Sequence, residues 1–346
     1  MISFIVPIRN EVQFISKTIQ SLVDQKTEMP FEILIADGLS IDGTREIIKD
    51  FQKNFPNIYL IDNPKKIVSI GFNKALSIAI GEVIIRVDGH ATIEPDYINQ
   101  CLIAFEKTDA DCVGGTIKNY SKGIVGNSIN IAQSSYFGTG GAVFRTKINK
   151  GKYVDTLAFG AYKRSIFNKI GGYDEELIRN QDDEFNMRLT QNKGTIWIDP
   201  DIKSSYYSRA SLLKFFIQYL QYGFFKVRVM QKRKGFASYR HIIPFLFILI
   251  LLFSSLLYFL FMIAIPIQMV LGSYMLCLFL GTLNAFMKSP QNILSIIILP
   301  LSLLSMHFAY GIGFFFGIIY FLNKWKSHRI IDLHFNKLQF LNNNNF

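Results

Sequence analysis

Residues Gly81 to Ala91 read GEVIIRVDGHA, an apolar run that stops abruptly at Asp88-Gly89-His90. Val83, Ile84, Ile85 and Val87 suit a buried strand, and an Asp-Gly pair closing such a run suits a tight turn at its carboxyl end. In open α/β sheets that edge is where ligands bind. Asp88 and His90 flank Gly89, so a carboxylate oxygen and an imidazole nitrogen can approach one divalent cation from the same side of the turn. Such a mixed donor set suits Mn²⁺ and tolerates Mg²⁺. The plain alternative is an ordinary turn with a surface histidine, because Asp-Gly is a common turn signal.

The same grammar repeats upstream. Ile2 to Ile8 (ISFIVPI) reads as a buried strand ending in Arg9-Asn10-Glu11, and Phe14 to Val23 carries Ile15, Ile19 and Leu22 at helical spacing. Phe31 to Ala36 (FEILIA) is a second strand, broken by Asp37-Gly38. The polar turn Leu39 to Thr44 opens a helix near Arg45, with Asp42 or Thr44 as candidate cap. Ile58 to Ile61 is a third strand, and Gly71 to Ile80 is a helix feeding the run at Gly81. Alternating strands and helices predict a parallel sheet covered on both faces, with Glu11, Asp37 and Asp88 along one edge.

Downstream, Asp111 to Thr116 (DCVGGT) reads as another strand. In the loop Tyr136 to Ala142 (YFGTGGA), Gly138, Gly140 and Gly141 permit close backbone approach to a phosphate or sugar, or simply a surface loop. Asp182, Phe185, Arg188 and Leu189 fall at helical spacing. Phe185 and Leu189 can then bury one stripe while Asp182 points out from the first turn, the position that plain helix capping also favours. Arg188 has two partners on offer, phosphate or an intrahelical carboxylate, and the second is the expected one.

From Ser211 the pattern changes. SLLKFFIQYLQYGFFKVRVM, Ser211 to Met230, is an apolar and aromatic helix with a narrow polar stripe at Lys214, Gln218 and Gln221, followed by basic residues up to Arg240. That pattern suits the plane of an anionic leaflet. Nucleic-acid binding would also use the net charge of +11, but the aromatics keep helical spacing and run straight into uncharged segments, so it is set aside. The runs Ile242 to Ile265, Ile267 to Phe286 and Ile293 to Leu322 each reach the ~20 residues needed to cross a bilayer. Three crossings would separate two basic clusters that both ask for the cytoplasmic side, the one before Ile242 and the one at Lys324, Lys326 and Arg329, and Pro300 offers a break in the third run. The amino terminus lacks the pattern of a secretory signal, which predicts a cytoplasmic amino-terminal part. Cys101, Cys112 and Cys277 form no paired framework.

PIRNE, IADGLSIDGT, GFNKA, IGEVIIRVDGH, GGYDEE and NQDDEFNMRL, in that order, resemble the family 2 glycosyltransferases of the GT-A fold, and within them the succinoglycan-type exopolysaccharide branch. The resemblance covers about residues 1 to 235. It implies a GT-A-like α/β domain over 1–209, an interfacial helix and basic linker over 210–240, two to four transmembrane helices (three favoured) over 241–323, and a basic then Asn-rich tail over 324–346. Pro7, Arg9 and Glu11 would border the nucleobase and ribose, Asp37 would hold the uracil or ribose, and Asn73 and Lys74 would lie near the nucleotide. Asp88 and His90 would stand in the metal-binding DxD motif, with His90 in place of its second aspartate. In the acidic run, Asp182 matches the family's base and Asp183 is the neighbouring alternative. Gln181 stands where Glu is usual, a change that weakens the base.

The implied reaction is inverting transfer from a nucleotide-sugar, a UDP-sugar, to a lipid-linked saccharide at the membrane. Leaving-group charge on the β-phosphate calls for a divalent cation, Mn²⁺ or Mg²⁺, and the attacking hydroxyl calls for a base. QYLQY lacks the Arg-Trp pair of processive synthases. A polyprenyl-phosphate acceptor is the alternative within the class. A catalytically silent membrane subunit or transporter component is the alternative outside it.

Overall fold

A computed structural model describes residues 1–324 apart from 147, 209, 236–237 and 289–291. Lys326, Arg329 and the Asn-rich tail lie outside the described residues. The expected alternation is present as β1 (Ile2–Ile8), α1 (Ile15–Val23), β2 (Phe31–Asp37), α2 (Thr44–Asn54), β3 (Ile58–Asp62), α3 (Val68–Ile78) and β4 (Val83–Arg86). β1 lies between β2 and β4, β3 flanks β2, and all four are parallel. Every residue of β1 is buried, which is why its sequence is a continuous apolar run and not an alternating one. Pro7 is tolerated in this central strand for a geometric reason. The Ile5 carbonyl accepts from Val87 N (3.1 Å), so Pro7, two residues on, turns its missing donor toward β4, whose pairing with β1 has ended at Ile5 opposite Arg86.

The chain continues through β5 (Ala91–Ile93), α4 (Tyr97–Thr108), β6 (Cys112–Tyr120), α5 (Gly123–Ser134), α6 (Tyr136–Thr139), β7 (Lys152–Tyr153), β8 (Ala161–Lys163), α7 (Arg164–Ile170), α8 (Gln181–Gln191) and β9 (Ile196–Tyr207). The sheet runs β3-β2-β1-β4-β8-β6-β9-β5, with β7 on β9, and β8 is antiparallel to both β4 and β6. This is a mixed GT-A-like sheet. The chain divides into two units, one of Met1–Gly115 and Asn149–Ser204, the other of Thr116–Ile148 and the described residues from Ser205 onward.

Three local expectations change. The N-cap of α2 is Gly43, at φ +97°, and the expected Asp42 serves from one residue earlier, its Oδ1 accepting from Thr44 N at 3.1 Å. The stretch from Tyr136 begins as a helical turn, capped by Ser135 Oγ accepting from Gly138 N at 2.9 Å. Only Gly140 and Gly141 there take left-handed backbone, and each packs closely on a neighbour in its own unit, Arg240 and Tyr136.

The second unit is built on α9 (Leu212–Arg233), α10 (Ile243–Phe261), α11 (Ile265–Lys288) and α12 (Ile293–Phe321). The last three are long and apolar enough to span a membrane. Pro300 does not break α12. The hydrogen bond it removes is offset by burial of Ile296, Leu299 and Leu303 around it. One core joins Ile129 and Ala132 of α5, Phe215 and Tyr219 of α9, Leu278 of α11, and Leu299, Leu303, Met306 and Ala309 of α12. α9 lies backbone-close on α12, because a Cβ on Gly223 would collide with the Tyr310 carbonyl and one on Gly313 with that of Leu220. Small residues at such contacts are how apolar helices associate. Gly223→Ala should therefore cost about 1 to 3 kcal/mol by overpacking, read as a lowered midpoint of thermal unfolding of the detergent-solubilised protein.

Candidate active site

The carboxyl ends of β1, β2 and β3 carry loops that bond to each other before they could bond to any ligand. Asn10 N donates to Ser40 Oγ (2.8 Å), Ile41 N to Asn10 Oδ1 (3.1 Å), Glu11 N to Thr44 Oγ1 (2.9 Å) and Val12 N to Asp42 Oδ2 (3.1 Å). Asp37, at the end of β2, is fully buried. It accepts from Ser40 Oγ and Ser40 N, and pairs with Arg45 Nη1 at 2.7 Å, while Arg45 Nη2 reaches Asp62 at the end of β3 (2.8 Å). One arginine thus neutralises two strand-end carboxylates.

β4 delivers the next group. Its last residue, Arg86, is buried, and its guanidinium reaches Asp88 Oδ1 through Nη2 at 2.9 Å and Asp182 Oδ2 through Nη1 at 3.5 Å. Tyr173 completes the set, with its ring under the guanidinium and its hydroxyl 3.5 Å from Nη1. Burial alone would lower the Arg86 pKa, but Asp88, Tyr173 and Asp182 reverse this and hold it well above its ordinary value. It is a fixed positive charge between the two carboxylates proposed from sequence for the metal and for the base. Burial raises the Tyr173 phenol, which leaves it a neutral hydroxyl.

Asp88 starts the DGH turn. Ala91 N donates to the Asp88 carbonyl (3.0 Å) and Thr18 Oγ1 to that of Gly89 (3.0 Å), which fastens the turn to α1. His90 Nδ1 lies 2.9 Å from Glu11 Oε1. A carboxylate on one imidazole nitrogen is the partner a metal-binding histidine usually keeps, orienting its other nitrogen to the ion. No group of three or more His, Cys, Asp or Glu that could hold a metal ion occurs among the described residues. Asp88 and His90, expected from the sequence to hold a metal, are two donors only, so any site they form would need substrate phosphates to complete it.

On the acidic helix, the structure separates three carboxylates that the sequence runs together. Asp182, about a third exposed, faces Arg86 and accepts from Asp183 N at 3.0 Å. Glu184 is buried in a bidentate pair with Arg188 (3.1 and 3.0 Å). Arg188 also donates to the Ile170 and Gly172 carbonyls, so the intrahelical pairing expected of it is present. Gln181 is buried. Beneath α8, Phe185 stacks on Phe167 and Tyr173 on Phe72, with ring centroids 4.9 and 4.0 Å apart. These rings set the height of the helix start.

Asn73 and Lys74 have partners of their own. The Asn73 amide donates to the Tyr173 carbonyl (2.9 Å) and to Glu175 (3.0 Å) and accepts from Tyr173 N (2.8 Å), so it positions the loop that carries Tyr173. Lys74 Nζ reaches the Asp62 carbonyl (2.8 Å). The exposed Arg9 side chain lies over Gly38, whose Cβ would stand 3.1 Å from it, and Pro7 is buried in β1. Sequence reasoning missed Arg86, Arg45 and Tyr173. An arginine inside an otherwise apolar strand was the available signal, since buried arginines are nearly always paired.

Comparison with known proteins gives the family. The Glycosyl transferase family 2 profile matches residues 3–171, and the succinoglycan biosynthesis protein ExoA of Rhizobium meliloti is 31% identical over 69% of this chain and 73% of its own. The chain belongs to glycosyltransferase family 2. A relative from Methanococcus voltae, a dolichyl N-acetyl-alpha-D-glucosaminyl phosphate 3-beta-D-2,3-diacetamido-2,3-dideoxy-beta-D-glucuronosyltransferase, is 29% identical over 92% of this chain and 97% of its own. Among solved structures, the mannosyltransferase PcManGT of Pyrobaculum calidifontis, in complex with GDP-Man and Mn²⁺, aligns with 89% of this chain and 86% of its own at a TM-score of 0.54 and 14% identity, which shows the shared fold. In this glycosyltransferase, Arg86→Met should lower the rate of glycosyl transfer about a hundredfold or more. Arg86→Lys should restore only part of it, because an ammonium cannot serve both carboxylates and the Tyr173 ring at once.

Proposed function

We propose that this protein is an inverting, metal-dependent glycosyltransferase that moves a sugar from a UDP-sugar to a lipid-linked saccharide, at the cytoplasmic face of a membrane, during surface polysaccharide synthesis. The observation that carries the reading is Arg86 held between Asp88 and Asp182. One guanidinium keeps the donor-side carboxylate and the acceptor-side carboxylate at a fixed spacing around the same cleft.

Asp88, with His90 oriented by Glu11, would hold a divalent cation whose Lewis acidity stabilises charge on the departing diphosphate. Asp182 takes the proton of the acceptor hydroxyl as that oxygen bonds to the anomeric carbon. The bond from that carbon to the β-phosphate oxygen breaks, its electron pair leaves with the nucleoside diphosphate, and attack from the opposite face inverts the centre. Arg86 stays charged throughout and keeps Asp182 oriented without becoming the proton's acceptor. The interlocked loops after β1 and β2 shape the nucleoside side, with Arg9 and Glu11 at its border.

Both sequence relatives favour a saccharide acceptor. The name of the Methanococcus protein describes transfer to a sugar already carried on a dolichyl phosphate, and the Rhizobium protein belongs to succinoglycan synthesis. That supports a lipid-linked saccharide over a bare polyprenyl phosphate. Asp182 facing Arg86 beside the buried Gln181 supports an active enzyme over a silent subunit.

Two measurements test the reading. Chelation should abolish release of UDP, and Asp88→Asn should lower the rate about a thousandfold; a near-normal rate with unchanged metal dependence would sink the metal assignment. Asp182→Asn should lose transfer while calorimetric donor affinity changes little, because the base acts on the acceptor proton in the transition state. If Asp183→Asn is dead and Asp182→Asn active, the base is the neighbouring residue.

A further inference from the structure

Among the described residues three helices are long enough to cross a membrane, and each touches the other two, though far less extensively than α9 touches α12. α10 meets α12 through a single turn, where Phe245 stacks on Phe314, Phe247 packs edge-on against Phe308, and Pro244 and Ile248 close on Gly311. α11 meets α12 beside it, Tyr274 touching His307 and Phe308 while Leu278 joins the core with Leu299, Leu303 and Met306 and Ala285 packs against that core. The two contacts are centred about seven residues apart on α12, or roughly 10 Å at 1.5 Å per residue, the spacing of two adjacent helices. A hairpin of α10 and α11 laid crosswise over α12 gives this pattern.

α9 advances along α12. Leu220 lies on Gly313, Gly223 on Tyr310, Phe224 on Gly317, and Val227 packs with Phe314 and Phe321. At its end, Gln231 Nε2 donates to the Phe321 carbonyl (3.0 Å) and Arg228 Nη1 to that of Lys324 (3.1 Å). These bonds place the carboxyl end of α12 beside the basic end of α9, where the chain is about to enter α10. A polypeptide that enters α10 on one side of a bilayer and returns through α11 begins α12 on that same side. The bonds to Arg228 and Gln231 then require it to finish there too.

We infer that the chain crosses the membrane twice, through α10 and α11, and that α12 lies along the cytoplasmic leaflet with α9 upon it. The inference rests on the membrane setting proposed above and extends it. α12 is buried over just under half of its length in the protein, and its exposed residues are apolar or aromatic, Ile293, Leu294, Ile297 and Leu301 near its start and Phe316, Ile319 and Tyr320 near its end. Past its contact with α12, α10 has Leu249 to Phe261 left, about 20 Å of helix. That length completes a ~30 Å core only when α12 itself is sunk into the leaflet with its exposed residues toward the acyl chains. The charge pattern agrees. Lys226, Arg228, Lys232, Arg233 and Lys324 gather at one end of the pair, and Lys326 and Arg329 follow in sequence. Two crossings leave all of them on the cytoplasmic side, where three would divide them.

The test is labelling of single cysteines in the full-length protein carrying Cys277→Ser, with Cys101 and Cys112 buried, by a membrane-impermeant maleimide. Met262→Cys marks the turn between α10 and α11, and Asn323→Cys the end of α12. In intact cells against inverted vesicles, Met262→Cys should label at least tenfold better from outside and Asn323→Cys at least tenfold better from inside, with UDP release by both variants confirming a native fold. Asn323→Cys labelled from outside together with Met262→Cys would overturn the inference and leave the membrane setting intact. Met262→Cys labelled only from inside would overturn both, without touching the chemistry that Asp88 and Asp182 test.

Discussion

Arg86 is the interaction on which the site depends. Removing one partner of a buried ion pair costs about 3 to 5 kcal/mol because the survivor keeps its charge without compensation. Asp88 and Asp182 retain some exposure to water, at 23% and 36% of their side chains, so the lower end of that range applies. Even so, the contrast with Lys53 and Asp50, each more than 70% exposed, is large, since such surface pairs contribute about 0 to 1 kcal/mol. The end of β4, the DGH turn and the first turn of α8 are thereby constrained by one charge. The aromatic stack under α8 and the amide of Asn73 act on the same point, since both hold Tyr173 against the guanidinium.

Much of this was legible before any coordinates. The strands of the amino-terminal sheet announced themselves as apolar runs cut off by Arg-Asn-Glu, Asp-Gly and Asp-Gly-His, because a parallel strand buried on both faces leaves no room for polar residues until it exits. The spacing of Phe185 and Leu189 put Asp182 at a helix start. The partners were hidden, because a residue's sequence neighbours do not say which charge it meets in space. Asp37, expected on the nucleotide side, is also bonded to Ser40 and Arg45, and Asn73, expected near the nucleotide, also holds Tyr173. Glycine carries a similar ambiguity. Gly140 and Gly141 signalled close approach correctly, but the sequence had no way to say that the approach is to Arg240 and Tyr136.

In the second unit, hydropathy found every long helix and misjudged Pro300. Hydropathy measures whether a segment tolerates lipid, and α12 passes that test on composition whichever way it lies. Orientation is written instead in the contacts, which stay on one turn where helices cross and continue along both where they run side by side. Arg228 and Gln231 add a second kind of information by ending α12 with side-chain donors, a favourable place for a cation near a helix carboxyl terminus.

The glycines of α9 and α12 carry one more consequence. Gly223, Gly313 and Gly317 allow backbone to touch backbone, and each must face its partner at the same time. Deleting one residue from α12 between Ile296 and Gly311 would turn everything beyond it by about 100° relative to what precedes it, swinging all of those contacts off the seam together. Point changes at lipid-facing positions are felt one by one, whereas changes in length along this pair are felt at once. Natural variation in the second unit should accordingly accumulate as replacements within α9 and α12, and as insertions only in the connections between helices.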